Sequence, residues 1–268
     1  MIFYFSATGN CRMIAEIIAA RTGDTMISIA DCLREGRFSF RAEKEERVGF
    51  VTPTYFWGLP AAVLSFLEVL ELSLPENPYI YHVTVYGTTP GQSAFFFREM
   101  AERRGITVRA SFSVRTVDTW VPIFDLRDGE KNRRITEQAA RLAENVARDV
   151  AARLHGNFVG AVPPLPLAWG VYRNYHTARR TKYFAVDAEA CVGCSLCAAQ
   201  CPDGAIVMRG GKPSFEPPEC TLCLGCLHRC PKGAIRYKTV NRHGRFVNPK
   251  VRWKTPIPKP CDKKPKHT

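Results

Sequence analysis

Eight cysteines fall in two copies of one spaced run, Cys191-x2-Cys194-x2-Cys197-x3-Cys201-Pro202 and Cys220-x2-Cys223-x2-Cys226-x3-Cys230-Pro231. The copies begin 29 residues apart and continue alike, as Pro202-Asp203-Gly204-Ala205-Ile206 and Pro231-Lys232-Gly233-Ala234-Ile235. The segment is therefore an internal repeat. Two-residue spacing brings three thiolates from one short loop onto a common centre. Small residues such as Gly193 and Gly225 let backbone N–H groups approach the sulfurs, and the proline after each fourth cysteine turns the chain away. Two metal chemistries use CxxC spacing. A structural zinc site takes four ligands in one tetrahedron, whereas a cubane of iron and sulfide takes one thiolate at each of four corners. Three cysteines in one CxxCxxC run, twice over and each trailed by Cys-Pro, favour the iron–sulfur alternative.

Over roughly residues 181–240 the chain resembles the bacterial dicluster ferredoxins, on all eight cysteines and both prolines. The resemblance implies two 4Fe-4S clusters with crossed ligation, because in that family the fourth cysteine of each run serves the other cluster. One cluster then takes Cys191, Cys194, Cys197 and Cys230, and the other Cys220, Cys223, Cys226 and Cys201. A small α+β domain is expected, with strands over 183–186, 205–208, 212–215 and 234–237 and a hairpin turn at Gly210-Gly211. With both ligand sets complete, His228 is expected to be a solvated loop residue.

Residues 1–155 alternate strand-like and helix-like patterns. Apolar runs over 2–5, 48–51 and 80–86 predict strands, with further strands near 26–29 and 107–114. Met13, Ile14, Ile17 and Ile18 share a helical face, as do Leu59, Val63, Phe66, Leu67 and Leu70. A helix is expected up to about Arg104, and a long one carries Ile135, Leu142, Val146, Val150 and Leu154. Strand–helix alternation predicts a parallel sheet covered on both faces, and such sheets bind ligands at the carboxyl ends of their strands.

Three loops stand at those ends. Ser6-Ala7-Thr8-Gly9-Asn10-Cys11 joins the first strand to a helix start; its hydroxyls and N–H groups can surround a phosphate without any Lys or Arg. Pro53-Thr54-Tyr55-Phe56-Trp57-Gly58 offers three consecutive aromatics to a flat ring. Tyr86-Gly87-Thr88-Thr89-Pro90-Gly91 lets backbone approach a ring edge, and residues 117–122 are placed to close over the same site. Together they resemble the phosphate loop and the two ring-binding loops of flavodoxins, which implies FMN as cofactor. Cys11 departs from that pattern, standing where many flavodoxins carry Thr, and is expected to be a small-residue replacement. No G-x-G-x-x-G opens a helix, so a dinucleotide site of that type is not expected.

The full expectation is an α/β chain: a flavodoxin-like, doubly wound parallel sheet over 1–155, a Pro/aromatic linker over 156–180, the dicluster ferredoxin domain over 181–240, and a basic extended tail over 241–268. Taken whole, the chain resembles the prokaryotic family that joins those two modules. The resemblance implies an electron-transfer protein relaying electrons between FMN and two 4Fe-4S clusters and a redox protein partner, with no separate catalytic residue. The competing reading is a flavin-dependent oxidoreductase acting on a small acceptor such as a quinone or disulfide.

The formal net charge of +13 also raises nucleic acid as a partner. Residues 1–155 are neutral, however, and 241–268 alone hold 9 Lys/Arg against Asp262. Clusters and FMN together add roughly −6 when bound, and no DNA-binding motif is present, so nucleic acid is not expected. An acidic redox partner at the basic tail is. No apolar stretch reaches the ~20 residues of a membrane span and no secretory leader is seen, so a cytoplasmic location is expected.

Overall fold

The computed structural model describes residues 1–238 and 243–253. In chain order the first lobe comprises β1 (Ile2–Tyr4), α1 (Asn10–Thr22), β2 (Met26–Ser28), α2 (Ile29–Glu35), β3 (Ser39–Arg41), β4 (Arg47–Pro53), α3 (Ala61–Val69), β5 (Glu71–Ser73), β6 (Tyr79–Tyr86), α4 (Ser93–Arg103), β7 (Ala110–Arg115), α5 (Gly129–Ala151) and β8 (Gly156–Phe158). Six strands form one all-parallel sheet in the order β2-β1-β4-β6-β7-β8. β4 and β6 are buried along nearly their whole length, as parallel strands covered on both faces must be. Phe3, Phe50, Phe66 and Phe97 fill one face of the sheet, and Ile14, Ile18, Phe112 and Val146 the other. The chain turns from β1 to opposite neighbours at β2 and β4, so a crevice opens above the ends of β1 and β4.

The second lobe holds β9 (Phe184–Val186), α7 (Leu196–Ala199), β10 (Ile206–Arg209), β11 (Lys212–Phe215), α8 (Gly225–His228) and β12 (Ile235–Tyr237). β10 and β11 form an antiparallel hairpin across Gly210-Gly211, both with positive φ, and β12 pairs antiparallel with β9. Each cysteine run feeds one of the two short helices.

Sequence periodicity missed several local elements. α2 follows β2 directly, β3 pairs with β5 in a separate parallel ladder, and β8 takes the sheet edge where the linker was expected to begin. Pro163-Pro164-Leu165-Pro166 does not act as a spacer. Pro164 caps α6 (Leu165–Ala178) and Pro166 sits in its first turn, where a missing N–H costs nothing.

α6 joins the lobes. The Tyr172 hydroxyl donates to Leu59 O at 2.6 Å. The Tyr175 hydroxyl accepts from Ala61 N–H at 3.1 Å and donates to Thr221 O in the second cysteine run. The Phe3/Phe50 core continues without a break through Tyr172, Tyr175, Leu222, Leu224, Leu227 and Tyr237.

The expected tail also begins differently. Residues 243–253 run as a strap over both lobes: His243 O accepts from Leu126 N–H at 2.7 Å, Phe246 is buried, and Asn248 N–H donates to Thr8 O at 2.8 Å. Apolar residues among the basic ones, Phe246, Val251 and Trp253, drive this packing; positions 254–268 lie outside the described residues. His228 is likewise buried rather than solvated. Its ring bonds Thr119 O at 3.0 Å on one side and accepts from Phe246 N–H at 3.3 Å on the other. Among the described residues no helix is long and apolar enough to cross a membrane.

Tyr175→Phe removes one hydroxyl and leaves a buried N–H and a buried carbonyl unpaired at the junction. Chemical denaturation should show a loss of about 1–3 kcal/mol; an unchanged midpoint would mean that the hydroxyl does not hold the lobes together.

Candidate functional site

The turn after β1 begins the site. Gly9, with φ +102°, caps α1, and Ser6 Oγ accepts the Gly9 N–H at 3.2 Å. The free N–H groups of the first turn of α1 thus face the loop, the natural seat of an anion. Asn10 is engaged sideways: its Nδ2 donates to Val117 O at 3.1 Å and its Oδ1 accepts from Asn248 at 3.0 Å. Cys11 is buried, and that burial pushes its thiol well above the usual range, so it stands as a neutral small side chain.

The aromatic loop after β4 is a strained two-residue turn. Tyr55 and Gly58 exchange N–H···O bonds of 2.9 Å, leaving Phe56 at φ 49° and Trp57 at φ 67°. Left-handed backbone costs a side-chain-bearing residue about 1–2 kcal/mol and persists only where the surroundings over-determine it. Here Trp57 O accepts from Gln92 N–H at 2.8 Å, and a Cβ on Gly91 would lie 2.4 Å from Trp57 Cα. Phe56 packs between Trp120 and Tyr175, with centroids 5.2 and 5.6 Å away.

The loop after β6 leans on the loop after β7. Thr88 Oγ1 donates to Asp118 Oδ2 at 2.8 Å, and Trp120 N–H donates to Asp118 Oδ1 at 3.1 Å. Burial raises the Asp118 carboxyl above its ordinary value, against the pull of these two donors. A Cβ on Gly87 would lie 2.2 Å from Asp118 Cβ, so only glycine fits there.

These loops wall a cavity of about 450 Å³, within the usual size of a cofactor site. Ser6, Ala7, Thr8, Asn10, Cys11, Pro53, Thr54, Tyr55, Phe56, Trp57, Tyr86, Gly87, Thr88 and Thr89 all line it. Gly9, Gly58 and Gly91 are not on the wall; they shape the turns behind it. The expected closing loop contributes Val117, Asp118, Thr119 and Trp120. Sequence reasoning missed Ile123, Phe124, Val171, Asn174 and Tyr175, and also Leu222, Cys223 and Leu224 from the second cysteine run. The aromatics of 169–175 were visible as a cluster, but nothing local said which lobe they would face.

The cysteines separate into two groups. Cys191, Cys194, Cys197 and Cys230 line one small cavity with Lys232. Cys201, Cys220, Cys223 and Cys226 line another, which Cys197 also borders and which reaches Ser6 and Ala7 of the first loop. Backbone N–H groups of Ala205, Leu222 and Ala234 each point at a sulfur, of Cys201, Cys220 and Cys230 respectively, at 3.3 Å. Asp203 of the first repeat ties down the second run by accepting from Thr221 N–H at 2.6 Å and Thr221 Oγ1 at 2.7 Å. Gly225 rests against the first lobe, where a Cβ would lie 3.6 Å from that of Ala7. Among the described residues no three His, Cys, Asp or Glu side chains are spaced to hold a single metal ion.

Comparison with known families finds the flavodoxin domain over residues 1–110 and the 4Fe-4S dicluster domain over 190–235. The chain joins a flavodoxin domain to a dicluster ferredoxin domain. These modules bring FMN and two 4Fe-4S clusters as cofactors and give the protein a redox, electron-transfer role. Among solved structures it is similar to Fusobacterium nucleatum flavodoxin bound to flavin mononucleotide (16% identity, 57% of this chain and 96% of that one, TM-score 0.38). It is also similar to Streptococcus pneumonia TIGR4 flavodoxin (20% identity, 55% and 97%, TM-score 0.33). A third, rubredoxin oxygen:oxidoreductase from Desulfovibrio gigas, is 19% identical over 58% of this chain but only 36% of its own, with TM-score 0.34. No curated protein matches the chain.

Gly87→Ala should weaken FMN binding by about tenfold, roughly 1.4 kcal/mol, while leaving iron content intact. Titration of flavin fluorescence against apoprotein measures it; unchanged affinity would remove the 86–91 loop from the ring site.

Proposed function

We propose that the protein is an electron relay in which FMN and two 4Fe-4S clusters, held in one rigid unit, exchange electrons with a protein partner. The observation that carries the reading is the shared wall: Leu222, Cys223 and Leu224 belong to the second cysteine run and also line the cavity formed by the three flavodoxin loops. FMN takes one or two electrons and the clusters one each, so the set mediates between one- and two-electron partners.

The residues present fit these groups. The Ser6–Asn10 turn and the α1 N-terminus bind the phosphate; Tyr55, Phe56, Trp57 and the Tyr86–Thr89 backbone hold the ring. Cys220, Cys223, Cys226 and Cys201 hold the inner cluster, against the flavin cavity. Cys191, Cys194, Cys197 and Cys230 hold the outer one. Of the ligands, Cys194 is exposed, and its neighbour Val192 is 51% exposed, which makes the outer cluster the port to the partner. Lys212, bonded to Cys191 O at 2.6 Å, and Lys232 place positive charge at that port. An acidic partner face suits it. Thiolate-held clusters suit the reducing cytoplasm.

Photoreduction of the flavin in the loaded protein tests the relay. Cluster bleaching should follow at a rate independent of protein concentration, because donor and acceptor share one chain. A rate proportional to concentration would show transfer between molecules and overturn the reading.

A further inference from the structure

Arg229 is the residue before Cys230, yet its side chain turns to the other cavity, where Cys201, Cys220, Cys223 and Cys226 converge. It is only 8% exposed, and its Nε has no hydrogen-bond partner. No carboxylate lies within ion-pair distance of Arg229 among the described residues. Asp203 borders the same cavity, but both its oxygens are taken by Thr221. The Trp253 ring of the strap covers the guanidinium at 3.7 Å, and Arg12 stands 5.4 Å from the same ring, itself paired with Glu16. Trp253 supplies a polarisable face but no neutralising charge.

A buried guanidinium without an anion is costly, and proteins keep one only where a counter-charge is supplied. The relay reading supplies it, since a cubane with four thiolates is anionic and gains one further negative charge on reduction. We propose that Arg229 is the counter-ion of the inner cluster, raising that cluster's potential, with Trp253 as the clamp that keeps the cation in place. A fixed cation attracts the reduced, more negative cluster more strongly than the oxidised one, so it favours reduction. The outer cluster has cations as well: Lys212 and Lys232 are half-exposed, and Arg245, bonded to Gly233 O, lies near Cys230. This inference rests on the relay reading and adds to it a cation that tunes the inner cluster and a role for the strap.

Redox titration of the loaded protein by electron paramagnetic resonance tests it, with Arg229→Gln and Arg229→Lys compared. In the Gln variant the reduced-to-oxidised ratio of one cluster at fixed potential should fall on the order of tenfold, which for one electron is about 59 mV. The other cluster should stay in place, and the Lys variant should keep most of the wild-type value. Should Gln drop the inner cluster altogether, loss of half of the about eight irons in Gln but not in Lys supports the same role. Two unmoved potentials in Arg229→Gln, or equal iron loss in both variants, would make Arg229 a packing residue and overturn the proposal. Wild-type protein without two cluster signals would instead remove the relay reading itself.

Discussion

Everything in this molecule depends on the burial of Tyr175 at the seam between the lobes. Its ring completes the aromatic wall of the flavin cavity, and its hydroxyl ties the first turn of α3 to the second cysteine run. Because the apolar core passes through this point without interruption, the lobes cannot swing apart without exposing Leu222, Leu224 and Leu227. Two modules that might have been tethered by a linker are instead packed as one body. The two cavities become neighbours as a consequence: Cys223 lines both.

Strain and charge are arranged around that seam. The Tyr55–Gly58 turn holds two bulky residues in left-handed backbone, and the loops after β6 and β7 brace it. Such a turn presents Phe56 and Trp57 in one orientation, so a flat ligand would meet a loop already ordered. The basic excess of the C-terminal half gains a local meaning too. Arg229 and Lys232 each border a sulfur-lined cavity, where an anionic cluster would offset their charge.

Much of the candidate site was legible from residues alone. The resemblance to dicluster ferredoxins implied two crossed groups of four thiols; in the structure each group lines its own cavity, with Cys197 bordering both. The phosphate and ring loops could be read because each follows a strand with a strong apolar signal. What escaped reading shares one trait: its partner is distant in sequence. Pro163–Pro166 looks like a spacer until it caps a helix whose face is covered by Leu59 and Ala61. His228 looks solvated until Thr119 and Phe246 enclose it. The strap looks like a charged tail because lysines and arginines outnumber the three apolar side chains that anchor it.

The sequence by itself determined the chemistry of the centres and the class of the sheet, because ligand spacing and hydrophobic period are set by bond lengths and backbone repeat within a few residues. Only the tertiary structure decided that the loop cavity and a cysteine-lined cavity share a wall, that Arg229 borders the latter, and that residues 243–253 run across both lobes. Those outcomes depend on which surfaces exclude water together, a property of faces brought from all parts of the chain and written in no single segment.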